Sequence, residues 1–359
     1  MFYLAIWEKF LNFAEIFAMG RDKFWDSLKF LLIIFVVYGH TIETFAPDGS
    51  YHRALYNVIY SFHMPFFMFV SGRFSQIRDK RKYRRGIARL TETYLVFQLI
   101  RCLNVWHLGG NLELLECLFY PKGTLWYIAY LIIYRIIIYA LPVKTLHSYL
   151  WTLLLGSFAL SILWGFVPIV AGQKFFIYLP YFLMGLYSVK FDVKKFCWHI
   201  PFLMAILGLL AFFMSIYFFV NFNIGYVIYC STPYYNSDPY LPSFVLLFAR
   251  CGMYISAFMI GLLLMRIVLV VDIFPKYGSK TLFIYMYHTF IVLTVRELIV
   301  RGYLDSDWAS LLFCATAIVA GLTILSNIRF LIVCMNPISY VFIYFLNQIN
   351  GHNKGFTKK

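Results

Sequence analysis

The stretch WDSLKFLLIIFVVYGHTIE, residues 25–43, decides the fold class of this chain. Ten residues without a charged side chain separate Lys29 from His40, and a run of this character is apolar enough to lie inside a lipid bilayer. Similar segments recur along the 359 residues, which are 62% hydrophobic and 13% charged. Soluble domains carry about 25% charged residues. The composition therefore predicts an integral membrane protein of the all-α class.

The apolar segments predict a polytopic helical bundle of about ten transmembrane helices. The predicted spans are 27–46, 54–72, 86–106, 124–141, 149–167, 175–189, 201–220, 242–265, 281–300 and 308–333. Residues 1–20 lack the small-residue cleavage site of a signal peptide and are predicted to form an amphipathic helix at the membrane interface. The transmembrane domain is expected at 21–335 and a cytoplasmic C-terminal tail at 336–359.

The basic residues are distributed unevenly between alternate loops. Loops on the side of the N-terminus hold 20 of the 31 Lys and Arg residues, loops on the other side hold four, and seven lie within spans. Cytoplasmic loops of membrane proteins are enriched in Lys and Arg. This pattern predicts cytoplasmic N- and C-termini in a multi-pass protein of the inner, cytoplasmic membrane. It also accounts for the net charge of +15 without nucleic acid as a partner.

Seven basic residues lie within predicted spans, where a charge is costly unless it faces the bundle interior, a cavity or the interface. They are Lys29, Arg89, Arg101, Arg135, Arg250, Arg296 and Arg329. Arg89 and Arg250 are expected to face the interior or a wet cavity. A purely structural scaffold would not need such residues.

The cysteines give little indication of function. Cys102 lies in an apolar segment and is predicted to behave as a small hydrophobic residue. Cys117 and Cys230 lie in predicted external loops, where a disulfide is an alternative to two free thiols.

Polar residues of the first span share one helical face. Lys29 and His40 are eleven residues apart, which corresponds to about three turns and about 16 Å along the helix axis. Asp26 can pair with Lys29, and Glu43 can orient the imidazole of His40, because each pair is spaced i, i+3. The alternative is a histidine that only packs and a lysine that snorkels to the interface. The face predicts a cation at the cytoplasmic mouth and a base deeper in the membrane.

The stretch RRGIARLTETY, residues 84–94, places Arg85, Arg89 and Glu92 on one face at the start of the third span. Two guanidinium groups at the cytoplasmic end of a bundle suit the phosphates of an anionic cofactor. The alternative is a cluster of positive charges that only fixes membrane orientation.

Further candidates lie in other spans. His63 and His288 are each expected near mid-membrane, where a packed histidine is the alternative to a functional one. Trp126 and Tyr127 begin the fourth span, where aromatic residues often anchor a helix at the interface. His63, Tyr127 and His288 are the candidate substrate-binding residues. No histidines have metal-ligand spacing within one helix, so no metal is expected.

Several segments together resemble the membrane-bound acyltransferase 3 family, and within it the fucose 4-O-acetylase-like and polysaccharide O-acetyltransferase branch. The resemblance covers roughly residues 22–333 and begins with a basic residue, ten further residues and a histidine in the first span. The similar segments that follow in order are SFHMPFFMFVSG, RLTETYLVF, TLWYIAYL, YLPYFLMGLYSVK and SKTLFIYMYHTFIV.

The resemblance implies roles for individual residues. It identifies His40 as the catalytic histidine and Lys29 as its basic partner on the same helix. Arg89 and Arg85 are implied as contacts of the acyl donor, and Trp126 as a wall of the pocket. Glu43 is added from the helix geometry as a residue that orients His40.

The resemblance implies a membrane O-acyltransferase, expected to be an O-acetyltransferase, which moves an acyl group from cytoplasmic acyl-CoA to a hydroxyl of a glycan. The acceptor would be a cell-surface or lipid-linked saccharide of a bacterial cell envelope, and acetyl-CoA the donor. An extended pantetheine arm is of the same order of length as the separation of Lys29 from His40. His40 would act as a general base or form an acyl-histidine, and the sequence leaves both open.

Other functions remain open at this point. Charges that face a cavity also mark transport paths, so a transporter or flippase of a glycan or lipid-linked oligosaccharide is an alternative. A glycosyltransferase and a non-enzymatic subunit of a polysaccharide assembly system are further alternatives. The expected partners are the acyl-CoA, the saccharide acceptor and the lipid bilayer. A homo-oligomer and polysaccharide-assembly partners are left open.

Overall fold

The computed structural model describes residues 22–45, 50–107, 120–121, 123–141, 150–163, 173–218, 243–271 and 273–341. These residues form helices joined by turns, without a strand in the described ranges. The predicted all-α class is therefore confirmed. The predicted interfacial helix at 1–20 and most of the predicted C-terminal tail lie outside the described residues.

The described residues contain twelve α-helices. These are α1 Lys23–Ile42, α2 Tyr51–Arg73, α3 Lys80–His107, α4 Trp126–Ala140, α5 Leu150–Leu163, α6 Gln173–Tyr187, α7 Val193–Trp198, α8 Phe202–Phe218, α9 Ser243–Val268, α10 Thr281–Val300, α11 Trp308–Leu325 and α12 Arg329–Met335. Each of the ten predicted spans contains a helix, and α7 is an additional short one.

Five segments are long and apolar enough, by length and composition, to cross a membrane. They are Lys23–Ile42, Gly123–Ala140, Leu247–Val268, Pro275–Val300 and Trp308–Leu325. Two shorter apolar helical segments, Trp151–Leu163 and Phe202–Ser215, accompany them.

The last predicted span, 308–333, is not one continuous helix. The helix breaks between α11 and α12 because side chains there bind the terminal carbonyl groups of α11. Ser326 Oγ donates a hydrogen bond to the Thr323 carbonyl at 2.6 Å. Lys280 Nζ donates to the Ser326 carbonyl and to Asn327 Oδ1, both at 3.1 Å. These bonds take the place of the helical ladder, so the prediction of a single span was wrong here.

Cys102 also differs from the prediction. It is disulfide-bonded, so it does not act only as a small hydrophobic residue. Its sequence neighbours gave no sign of this, because a pairing depends on where a second cysteine lies in space.

The tightest helix contact joins α2 to α6. A Cβ atom built on Gly72 would lie 1.9 Å from the carbonyl oxygen of Phe182, and one built on Gly185 would lie 1.8 Å from that of Phe69. The two backbones therefore touch with no side chain between them. Small residues allow such contacts in membrane bundles, where close packing replaces the hydrophobic effect between helices. α2 also packs against α1, α8 and α9, which makes it a central helix of the bundle.

We expect Gly185→Ala to lower the thermal unfolding midpoint of the detergent-solubilised protein. The added methyl group has no room against the Phe69 carbonyl, and overpacking of this kind costs about 1–3 kcal/mol. Gly156→Ala is the matched control, because no atom lies within 4 Å of a Cβ built on this helical glycine. The control should leave the midpoint unchanged or raise it, since alanine favours helix by about 1 kcal/mol. Equal midpoints for the two variants would contradict the role of the glycine contact.

Candidate active site

His40 lies in the last turn of α1, and its ring is held by two neighbours. His40 Nδ1 lies 3.2 Å from Glu43 Oε2 and 2.9 Å from the hydroxyl of Tyr60 on α2. The contact with Glu43 confirms the contact predicted from the i, i+3 spacing. The contact with Tyr60 was not predicted.

Glu43 is bound by three side chains from three helices. Besides His40, Arg296 of α10 donates from Nη2 to Glu43 Oε2 at 2.7 Å, and the Tyr56 hydroxyl of α2 donates to Oε1 at 3.3 Å. The same Arg296 nitrogen donates to the His40 carbonyl at 2.5 Å. Arg296 therefore fixes both the carboxylate and the backbone of the histidine.

These contacts determine the charge state of Glu43. Burial alone would raise its pKa, but the hydrogen bonds and positive charges of His40 and Arg296 lower the pKa to about 2. The carboxyl group is therefore ionised near neutral pH and can only accept hydrogen bonds. The proton in its bond with His40 must then reside on Nδ1, which leaves the lone pair of Nε2 available as a base.

A cavity of about 450 Å³ opens beside this network. Its walls include His40, Glu43, His63, Arg101, Trp126 and Lys174. Its size is within the usual range for small-molecule sites. The structure thus brings the predicted residues His40, Glu43, His63 and Trp126 to one cavity.

The two other predicted histidines lie close to His40. The His288 ring is 5.4 Å from the His40 ring, and His288 Nδ1 bonds to the Tyr285 carbonyl at 2.6 Å. His63 Nδ1 bonds to the Ile59 carbonyl at 2.6 Å. Because a carbonyl only accepts, each ring must donate from Nδ1 and keep Nε2 as an acceptor. Within the described part of the chain, no three potential ligands are arranged to hold a metal ion.

The remaining predicted site residues lie away from the cavity lining. Tyr127 is buried, with its hydroxyl 2.6 Å from Ser71 Oγ. Lys29 Nζ forms the predicted ion pair with Asp26 at 2.6 Å and lies 4.9 Å from the centre of the Phe74 ring.

Arg85 and Arg89 are both exposed on α3. The expectation that Arg89 faces the bundle interior was therefore wrong, because the packing face of α3 is formed by Leu90, Tyr94 and Phe97. Arg250 does face the interior and is only 1% exposed.

Sequence reasoning did not assign Tyr60, Arg101, Lys174 or Arg296 to the site. Arg101 and Arg296 had a usable signal, since each is a charged residue within a predicted apolar span. Tyr60 and Lys174 had none, because a tyrosine in a span and a lysine at a span end are both common.

The geometry can now be compared with known proteins. A family model described as an acyltransferase domain, acyltransferase 3, matches residues 22–328. The chain belongs to the acyltransferase 3 family. Together with the apolar helices, this makes it a multi-pass membrane protein of a family whose name implies acyl transfer. No solved structure matches the chain.

A curated relative is the nodulation protein NolL of Mesorhizobium japonicum. The two sequences are 29% identical over 122 residues, which is 30% of this chain. The chain spans about a third of the length of that relative, with 33% covered.

The contribution of Glu43 to stability should depend on pH. A carboxyl group with a folded-state pKa of about 2 and an ordinary value of 4.5 stabilises the fold fully above pH of about 4.5. That contribution is lost as the pH falls towards 2. The difference in thermal midpoint between the wild type and Glu43→Gln should therefore shrink over this range. Glu297→Gln, in the exposed pair with Arg301, is the control and should show no such trend. A constant difference for Glu43→Gln would contradict the charge state given above.

Proposed function

We propose that the protein is a membrane O-acetyltransferase that moves an acetyl group from cytoplasmic acetyl-CoA to a hydroxyl of a cell-surface or lipid-linked glycan. The single observation that carries the proposal is the hydrogen bond between His40 and an ionised Glu43 at the wall of a cavity. Family membership supports acyl transfer as the chemistry. The acetyl group, the donor and the glycan are the more specific parts of the proposal.

In the proposed reaction, His40 acts as a general base. Its Nε2 takes the proton of the acceptor hydroxyl while the hydroxyl oxygen attacks the thioester carbonyl carbon. The carbon–sulfur bond then breaks, and the departing sulfur takes the proton from the imidazolium. The products are the acetyl ester and free CoA. General-base assistance of this kind contributes about 10²–10⁴-fold to a rate.

Glu43 and Arg296 are positioning residues in this proposal. The carboxylate holds the Nδ1 proton and favours the imidazolium that forms during the reaction. Arg296 keeps the carboxylate in place and donates to the His40 carbonyl. An acyl-histidine intermediate would use the same Nε2 lone pair as nucleophile, and trapping of labelled protein without acceptor distinguishes the two routes.

The donor is proposed to bind along α1. Lys29, with Arg85 and Arg89, would hold the phosphates of CoA, and the pantetheine arm would carry the thioester over about 16 Å to His40. Trp126 would form a wall beside the thioester, and His63, His288 and Tyr127 would contribute to the acceptor pocket. The ion pair of Lys29 with Asp26 supports a lysine that is held in place before a donor binds.

The orientation follows the distribution of basic residues. The termini and the Lys29 end would be cytoplasmic, and the His40 end would face the outside of a bacterial inner membrane. Cys102, next to the cavity residue Arg101, is disulfide-bonded. Disulfides persist in oxidising compartments such as the periplasm, which supports this orientation.

We expect His40→Ala to abolish acetylation of the surface glycan, with a rate loss of about 10²-fold or more. The comparison is the ester content of the glycan from cells that carry each variant, with the amount of protein in the membrane measured in parallel. His199→Ala is the matched control, because His199 is exposed and bonds within its own segment to the Lys195 carbonyl. Retained acetylation in the His40 variant would refute the proposed mechanism.

We expect Lys29→Gln to raise the KM for acetyl-CoA by about tenfold with a smaller change in kcat, because a lost phosphate contact weakens donor binding. Lys23→Gln removes the same charge at the same end of α1 from an exposed position and should leave KM unchanged. The measurement is transfer of labelled acetyl groups by the purified protein. A lower kcat at an unchanged KM would place Lys29 outside the donor site.

A further inference from the structure

The cavity that contains His40 carries an excess of positive charge. Three basic side chains line it, Arg101 from α3, Lys174 from α6 and Arg296 from α10. Among the described lining residues, Glu43 is the one that carries a carboxylate, and it is bound to Arg296. A cavity for a neutral sugar alone would not require this charge balance.

Arg101 is held in the cavity by a glycine of unusual conformation. Gly123 has a φ of +56°, and a Cβ built on it would lie 2.8 Å from Arg101 Nη2. The backbone of Gly123 thus leaves room for the guanidinium group where any side chain would displace it. Gln98 Nε2, one turn before Arg101 on α3, donates to the Tyr120 carbonyl at 2.7 Å and ties this loop to the helix.

Lys174 is placed on the opposite wall by an aromatic ring. Its Nζ lies 5.0 Å from the centre of the Trp126 ring, which in turn lies 4.8 Å from the Tyr178 ring. A cation over an aromatic face is stabilised there and keeps its charge. Two basic groups on different helices therefore border the same space as His40.

We infer that Arg101, with Lys174, forms an anion-binding subsite for the acceptor, which carries a carboxylate or a phosphate close to the hydroxyl that is acylated. Guanidinium groups match both anions in a bidentate manner. The inference rests on the proposed function and specifies its substrate class. The donor phosphates are assigned to the Lys29 end of α1, about 16 Å from His40, so an anion at Arg101 comes from the other substrate.

The test is a binding measurement that needs no acyl transfer. The purified full chain in lipid nanodiscs is titrated with p-nitrophenyl β-D-glucuronide and p-nitrophenyl β-D-glucoside, which differ by a carboxylate on the sugar. The wild type should bind the glucuronide about tenfold more tightly, equivalent to about 1.4 kcal/mol. Arg101→Gln should reduce the ratio to about twofold or less. Arg301→Gln removes the same charge from an exposed residue outside the cavity and should keep the ratio.

Two further measurements protect the test against misfolding and against the wrong source of the anion. In the wild type, the preference should fall between low and high salt, because the discrimination is electrostatic. Arg101→Gln should leave the affinity for CoA unchanged. Equal binding of the two probes, a preference that resists salt, or a loss of CoA affinity in Arg101→Gln would each overturn the inference.

The outcome is separable from that of the proposed function. A protein that discriminates between the probes but transfers no acetyl group would refute the function and support the subsite. A protein that transfers acetyl groups without discriminating would support the function and refute the subsite.

Discussion

The site depends on one electrostatic constraint, the carboxylate of Glu43 at the edge of an apolar bundle. A buried charge is unfavourable unless it is paired and hydrogen-bonded. Here the compensation comes from Arg296, Tyr56 and His40, on three different helices. The requirement to satisfy one charge thus fixes the ends of α1, α2 and α10 relative to one another. It also fixes the protonation of the histidine, so the same contacts serve stability and chemistry.

Sequence reasoning located features whose cause is local. Apolar runs gave helices in every predicted span, and helical spacing gave the contacts of Lys29 with Asp26 and of His40 with Glu43. These succeed because hydrophobicity and i, i+3 geometry need no knowledge of the neighbouring helices. The placement of Trp126 and His63 at the cavity rested on a family resemblance.

Features that depend on tertiary contacts were not predictable in the same way. Arg296 reaches Glu43 across 253 positions of sequence, and no periodicity links them. The exposure of Arg89 follows from the face that α3 turns towards its neighbours, which the sequence of one amphipathic helix defines poorly. The break between α11 and α12 depends on Lys280, a residue of a different segment. Each of these errors arises where a distant residue decides a local outcome.

The glycine contact between α2 and α6 limits the depth of the cavity. Both helices line the cavity, through Tyr60 and His63 on one and Lys174 and Tyr178 on the other. A few residues further along, Gly72 and Gly185 bring their backbones together. On this side the cavity therefore has a rigid floor made of main chain. Substitution of wall residues can widen such a chamber but cannot deepen it, so a glycan would enter by its end instead of passing through.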